Sequence, residues 1–372
     1  MAQSAKFMSA SVKIRDGRDN FFTPLRLIFA LLVMIGHAHV ISAGNVDSEP
    51  HLFLNYTYSY TAVNMFFVTS GLLVTKSILS RGDMPAFVAA RSLRIFPALV
   101  MHIIFVTLIV GVAITTLPIL EYLSHKDVLM QPIWVLTFFN TDMILPGVFE
   151  ANAEPFASAP LWTLRFEMLC YIATALAFSL GFLRRKWMAL AQFIVPSMLW
   201  IIGHSYGLYD ALPGSAENLV RFGIAYGLGA AVYAYRDRLT FYWVAIPFLA
   251  GLVWITQASA FTEVAMNMMI ATIVIWAAYV KVPKLAWMQR ETDLSYGIYI
   301  YHWVIMQLII SLTPGLPVAT LFVLALPITV CLAWLSWTYI EAPMLRYKSR
   351  FGDWLRFGRS RRDFDPKAVL LD

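Results

Sequence analysis

The chain has 372 residues, of which 59% are hydrophobic, 15% aromatic and only 13% charged, a balance that excludes an ordinary water-facing surface and most soluble enzyme classes. Its net charge of +6 falls in short segments between apolar runs, so it reads as a topology signal and gives no reason to invoke nucleic acid. The two cysteines, Cys170 and Cys331, lie far apart inside apolar runs and suggest neither a disulfide framework nor a metal site.

Lys6, Lys13, Arg15, Asp16, Arg18 and Asp19 precede the first apolar run, and no small-residue cleavage site ends it, so the run reads as a retained helix. Ten spans follow in order, at residues 21–41, 58–80, 95–116, 160–181, 187–203, 218–235, 240–257, 262–280, 294–312 and 318–341. Each approaches the ~20 residues a helix needs to cross a hydrocarbon core. The longest connection, 117–159, carries an apolar stretch at 133–139 between Pro132 and Asn140. That stretch is too short to span, and reads as a re-entrant lid or as a surface helix resting on the bundle. The predicted fold is an all-α polytopic membrane bundle of about ten transmembrane helices, with both termini in the cytoplasm. It divides into an N-terminal segment (1–20), the bundle (21–345) and a basic tail (346–372). In that tail Arg356, Arg359, Arg361 and Arg362 near Trp354 and Phe357 point to lipid headgroup contact.

The orientation rests on charge. With the N-terminus inside, the cytoplasmic segments hold 24 of the 28 basic residues, and the external ones hold a single one, Lys126. Every alternate loop must agree for that asymmetry to arise.

The remaining three, Arg26, Arg165 and Arg221, fall in predicted spans, as do His37, Glu167 and His302. Ionisable groups at such depth cost ~2.5–3.5 kcal/mol on insertion scales and are functional candidates by default. Arg26 and His37 are eleven positions apart on the first span. That is three turns plus roughly 20°, so both project from nearly one face, ~16 Å apart along the axis. A snorkelling arginine and a packing histidine are the plainer alternatives. Glu167, in PLWTLRFEMLCY (160–171), is placed to orient the His37 ring or to pair locally with Arg165. Arg91 and Arg94 are three apart at the inner mouth of the third span and could hold a phosphate with two guanidinium forks, or serve only as retention charges. His302, preceded by Tyr296, Tyr299 and Tyr301, lines the same cavity or packs as a hydrogen-bonded core residue. Gly71 is expected to let two helices approach closely.

Taken in order, several segments resemble the acyltransferase-3 family of membrane acyltransferases. Arg26 and His37 resemble its Arg–ten residues–His signature, and NMFFVTSGLLV (64–74) resembles its FF-x-x-SG segment. Arg91, Arg94, Ile95 and Pro97 are similar to its R-x-x-R-I-x-P stretch, and LWTLRFEMLCY (161–171) to its W-(S/T)-L-x-x-E block. LSYGIYIYHW (294–303) and YIEAP (339–343) complete the series. Two departures stand out: Asn64 where an aspartate is common, and Arg165 where a small or apolar residue is usual.

The resemblance implies a membrane O-acyltransferase that moves an acyl group, in the first instance acetyl, from cytoplasmic acyl-CoA to a hydroxyl of an extracytoplasmic or lipid-linked glycan. It implies no metal. Partners would be acyl-CoA, a carbohydrate or glycolipid acceptor, membrane lipids and polysaccharide-biosynthesis proteins, in the bacterial inner membrane. His37 and Glu167 would be catalytic, Arg26, Arg91 and Arg94 would hold the donor, and Trp162, Arg165, Tyr299 and His302 would face the acceptor. His37 would act either as a base on the acceptor hydroxyl or as a transient acyl carrier. The alternative from another class is a transporter or acyl-group shuttle feeding a partner enzyme. A purely structural scaffold would leave Arg26 and His37 unexplained.

Overall fold

The computed structural model describes residues 11–15, 17, 19–289 and 292–356, without the side chains of 284 and 286. The sequence features at Lys6, Asp16, Arg18 and Arg290, and the tail's Phe357, Arg359, Arg361, Arg362 and Lys367, lie outside the described residues.

Each of the ten predicted spans contains a helix. In chain order they are α1 (Phe22–Ala43), α2 (Tyr58–Arg81) and α3 (Met84–Ile114), then, after a short surface helix α4 (Lys126–Leu136), α5 (Leu164–Ser179) and α6 (Lys186–Ser205). There follow α7 (Gly214–Ala234), α8 (Ala245–Thr256), α9 (Phe261–Tyr279), α10 (Ser295–Leu312) and α11 (Val318–Arg346), with α12 (Lys348–Leu355) after them. Among the described residues eight of these are long and apolar enough to cross a membrane, and the molecule is an all-α polytopic bundle.

The two exceptions have local causes. α8 has 12 residues and reaches only ~18 Å. The first residues of its predicted span instead form a strand, Phe241–Tyr242, paired antiparallel with Ser11–Val12. α7 carries Glu217, Arg221 and several glycines, and packs between α2 and α6. There the glycines are needed: a Cβ on Gly229 would lie 2.1 Å from the Val68 carbonyl oxygen, and one on Gly227 would lie 1.9 Å from that of Gln192. Gly71 on α2 answers them, with the Tyr226 carbonyl 2.0 Å from where its Cβ would be. Backbones this close are held by small residues, as expected for Gly71.

Helix ends are set by ordinary caps. The Thr57 hydroxyl accepts from the Tyr60 N–H at the start of α2, and Gly82 ends that helix in the left-handed region at φ 60°. Asp83 then caps α3 at Ala86. Because α3 starts at Met84, eleven residues before the predicted span, Arg91 and Arg94 lie within the helix and not at its mouth. Two π turns interrupt the bundle, Phe105–Val110 in α3 and Trp337–Glu341 in α11. The first frees the Thr107 carbonyl, which accepts from the Tyr122 hydroxyl at 2.8 Å.

Both described ends of the chain meet at one end of the bundle. Besides the strand pair, the Phe21 N–H donates to the Ala278 carbonyl at 2.8 Å, and α12 lies against the start of α3. Arg81, Arg236, Arg238 and Lys281 lie at this basic end too. At the opposite end, residues 140–158 turn into the bundle and bury Met143, Leu145, Val148, Phe149 and Ala157. They form a plug over α10: the Trp303 indole N–H donates to the Phe156 carbonyl at 2.8 Å, and the Asn152 amide donates to the Gln307 side chain at 3.0 Å. Of the two readings of the 133–139 stretch the surface helix is the one seen, over its first part: α4 ends at Leu136 and rests on α3, with Val128, Gln131 and Val135 buried.

Candidate active site

α1 and α10 bring two histidines together. His37 Nδ1 lies 2.8 Å from His302 Nε2, and the rings meet edge to edge, with centroids 5.1 Å apart and planes inclined by 17°. His302 Nδ1 is 2.9 Å from the Ile298 carbonyl, one turn back on its own helix. A carbonyl oxygen only accepts, so His302 carries its proton on Nδ1 and presents a lone pair at Nε2. His37 Nδ1 must therefore donate, which leaves His37 Nε2 with its lone pair. A backbone carbonyl thus fixes two tautomers in succession. Trp303 stands edge-on to the His37 ring at 5.1 Å, and His302 is fully buried.

Toward the basic end opens a cavity of about 1150 Å³, solvent at its mouth included, with Arg26, Arg81, Arg91, Arg94 and Lys348 in its wall beside Glu167 and Asp293. A smaller space joins it, sharing Arg26, Phe66, Ser70, Glu167 and Tyr296 and reaching Tyr299 and Thr163. Asp293, just before α10, pairs with Arg26 at 3.1 Å and Arg94 at 2.7 Å. Burial alone would push its carboxyl up, but Arg26, Arg94 and the Ser295 hydroxyl and N–H together hold it down to about 2. The other arm of Arg94 meets Glu341 at 3.2 Å, which the second π turn carries inward. Trp337 of the same turn sits 5.6 Å from that guanidinium.

The predicted residues divide accordingly. Arg26, Arg91 and Arg94 do line one cavity, but both nitrogens of the Arg94 fork are taken by carboxylates, so Arg91 and Arg94 do not present the paired forks expected for a phosphate. Glu167 faces the cavity and accepts from the Tyr171 hydroxyl at 2.5 Å and the Ser70 hydroxyl at 3.4 Å. The group that orients His37 is His302, where Glu167 was expected, and His302 therefore supports the ring instead of facing an acceptor. The Tyr299 hydroxyl is engaged by Thr163 at 2.6 Å and the Pro160 carbonyl at 3.0 Å, with its ring in the cavity wall. Trp162 packs on Phe166 and Phe222, and Arg165 donates to the Trp162 carbonyl and to Thr141. Neither lines the two spaces described above.

Sequence reasoning passed over Asp293 and Glu263, and took Glu341 only as part of the YIEAP segment. The signal was present: each is a carboxylate inside or beside an apolar run. Glu263, 3% exposed, accepts from Tyr60 at 2.9 Å, Asn64 at 3.1 Å and Asn267 at 2.8 Å. This accounts for one departure noted above. An amide at position 64 donates to Glu263, whereas an aspartate would set two carboxylates against each other. Arg221 lies over the Tyr60 ring at 3.9 Å in the same cluster.

Residues 20–338 match the acyltransferase-3 family model, described as an acyltransferase domain. Among curated proteins the chain is similar to Nodulation protein 10 of Rhizobium leguminosarum bv. viciae, 28% identical over 92% of this chain and 97% of the relative. It is also similar to an O-acetyl transferase of Shigella phage Sf6, 26% identical over 89% of this chain and 98% of the relative. No solved structure matches. With the family match running over residues 20–338, the chain belongs to the acyltransferase-3 family and is a multi-pass membrane O-acyltransferase, although His37 and His302 line neither of the two spaces described above.

Proposed function

We propose that the donor is acyl-CoA, in the first instance acetyl-CoA, entering at the basic end, and that the acceptor is a hydroxyl of a glycan or glycolipid reaching the opposite end. The distribution of basic residues, 24 to 1, supports placing the basic end in the cytoplasm of a bacterial inner membrane. The cationic cavity suits the phosphates of the donor. The smaller apolar space beyond it, walled by Phe66, Phe67 and Tyr299, suits a pantetheine arm running toward α10.

The observation that carries the reading is the histidine relay. His37 Nε2 is left with a lone pair by two fixed hydrogen bonds, on the helix that also bears Arg26. In the proposed step this nitrogen takes the proton of the acceptor hydroxyl as its oxygen attacks the thioester carbon. The carbon–sulfur bond breaks, and the departing thiolate receives the proton. His302 supports the imidazolium formed in between by accepting from Nδ1, and positions the ring throughout. Glu167, Trp162 and Arg165 are then outer contributors, Glu167 to the cavity wall and the other two to the helix packing behind it.

The decisive experiment supplies labelled acetyl-CoA to the basic face of the purified protein in lipid vesicles, for wild type and His37→Ala. Acetyl transfer or hydrolysis by wild type that vanishes in a folded, donor-binding variant is expected. No turnover by either, with anion transport that survives the substitution, would replace this reading with a transporter. Trapping with hydroxylamine tests the step itself: a trappable acyl group on His37 would mean acyl transfer through the ring in place of proton abstraction.

A further inference from the structure

The wall of the cationic cavity holds more positive charge than its carboxylates take up, and the surplus sits at the mouth. Asp293 engages Arg26 and one arm of Arg94, and Glu341 engages the other arm. Glu167 is bonded to Tyr171 and Ser70. Among the described residues Arg81, Arg91 and Lys348 have no acidic partner. Exposure is graded in the same sense: Arg81 and Lys348 are exposed, Arg91 is half-buried, and the Arg94 side chain is 14% exposed. The paired cations make the floor, and the free ones ring the entrance.

Lys348 is held there by a docked helix. Arg356, at the end of α12, bridges Asp353 and Asp83, the residue that caps α3. Gly352 lies flat on α3, where an added Cβ would come 3.2 Å from the Ala86 Cα. Asp83 is two residues after Arg81, across the tight turn at Gly82. One clasp thus fixes the last residue of α2, the first turn of α3 and the start of α12 around a single opening. Of the tail residues expected at lipid headgroups, Arg356 is thus engaged with Asp83 and Asp353.

We propose that Arg81 and Lys348, with Arg91, form a clamp for a multiply phosphorylated nucleotide head, and that docking of α12 completes it. The proposal rests on the acyl-CoA reading above and names the residues that take the donor's nucleotide end. Such a head carries a diphosphate and a separate ribose phosphate, more anionic oxygens than one guanidinium can cover. Two arginine forks and a mobile ammonium on three different helices match that spread better than a pair one turn apart.

The test is calorimetric titration of the full chain in lipid nanodiscs with CoA, dephospho-CoA and acetylpantetheine. Arg81→Gln and Lys348→Gln are each expected to weaken CoA roughly tenfold, with a smaller effect on dephospho-CoA and none on acetylpantetheine. Lys348→Arg should retain CoA binding. Gly352→Leu, which levers α12 off α3, should reproduce the loss seen in Lys348→Gln. Arg350→Gln, exposed on α12 and outside the cavity wall, should bind as wild type. Unchanged CoA binding in Arg81→Gln and Lys348→Gln, or an equal loss for acetylpantetheine, would overturn the clamp and leave the acyl-CoA reading standing. Wild type that binds neither CoA nor dephospho-CoA would overturn both.

Discussion

α1 runs through two environments built on opposite principles. Around Arg26 the contacts are between ions, with two guanidinium groups sharing Asp293 and a second carboxylate closing the group at Glu341. Around His37, eleven residues on, the fixed contacts are between neutral groups: imidazole to imidazole, imidazole to backbone carbonyl, and an indole against the ring. The ionic region can hold a charged ligand because its floor charges are already paired and the free ones stand at the entrance. The neutral region can abstract a proton because both ring donors are committed and one acceptor is left over. On the proposed reading, donor binding and proton transfer are separated along a single helix.

The largest expected effect breaks that separation at the neutral end. His37→Ala should lower acyl transfer by roughly 10²–10⁴-fold while donor binding, read by titration calorimetry, stays within a factor of about two. Arg94→Gln attacks the ionic end. It strands Glu341, whose side chain is 1% exposed, and should cost about 3–5 kcal/mol of stability, seen as early unfolding in a detergent melt. His302→Phe keeps the bulk beside His37 but removes the acceptor for Nδ1. Turnover number should fall roughly tenfold to a hundredfold with an unchanged KM for the donor, and equal losses in both would argue against a positioning role.

Asp293 gives the comparison a pH axis. Its carboxyl is held near 2 against an ordinary value near 3.9, so the folded state binds this proton less readily than the unfolded chain. Its contribution is therefore fully present above about pH 4, amounts to roughly 2 kcal/mol, and is lost as pH falls toward 2. The gap in stability between wild type and Asp293→Asn should therefore narrow by about this amount between pH 6 and pH 2, as read by unfolding at each pH. The smallest effect is kinetic: Arg91→Gln should raise the donor KM about tenfold and leave the turnover number alone.

Much of the bundle was legible because lipid demands long apolar runs, and these stand out in a single sequence. The shared face of Arg26 and His37 follows from helical arithmetic, and the family resemblance from motifs in register. The start of α3 was not legible, since Arg91 and Arg94 lower the hydropathy of a segment that is nonetheless helical. Arg94 is accommodated there by Asp293 and Glu341, which lie 199 and 247 residues further along the chain. The partner of His37 was missed for the same reason. A local carboxylate looked like the natural orienting group, whereas the structure uses a histidine 265 residues away. Glu263 hides in an apolar span until Tyr60, Asn64 and Asn267 are seen around it. Long-range pairing of buried polar groups leaves no periodic trace in the chain.

The plug at 140–158 has a consequence for fidelity. Its Phe156 carbonyl holds the indole of Trp303, and the same indole leans on the ring of His37. On the proposed reading, a thioester brought to that ring can be consumed by water as well as by a sugar hydroxyl, and the two outcomes differ only in which oxygen arrives first. Because the indole against the imidazole is fastened to the plug, that reading puts the admission of an acceptor and the admission of water under the same few contacts, and the ratio of useful transfer to wasted donor at the roof of the site.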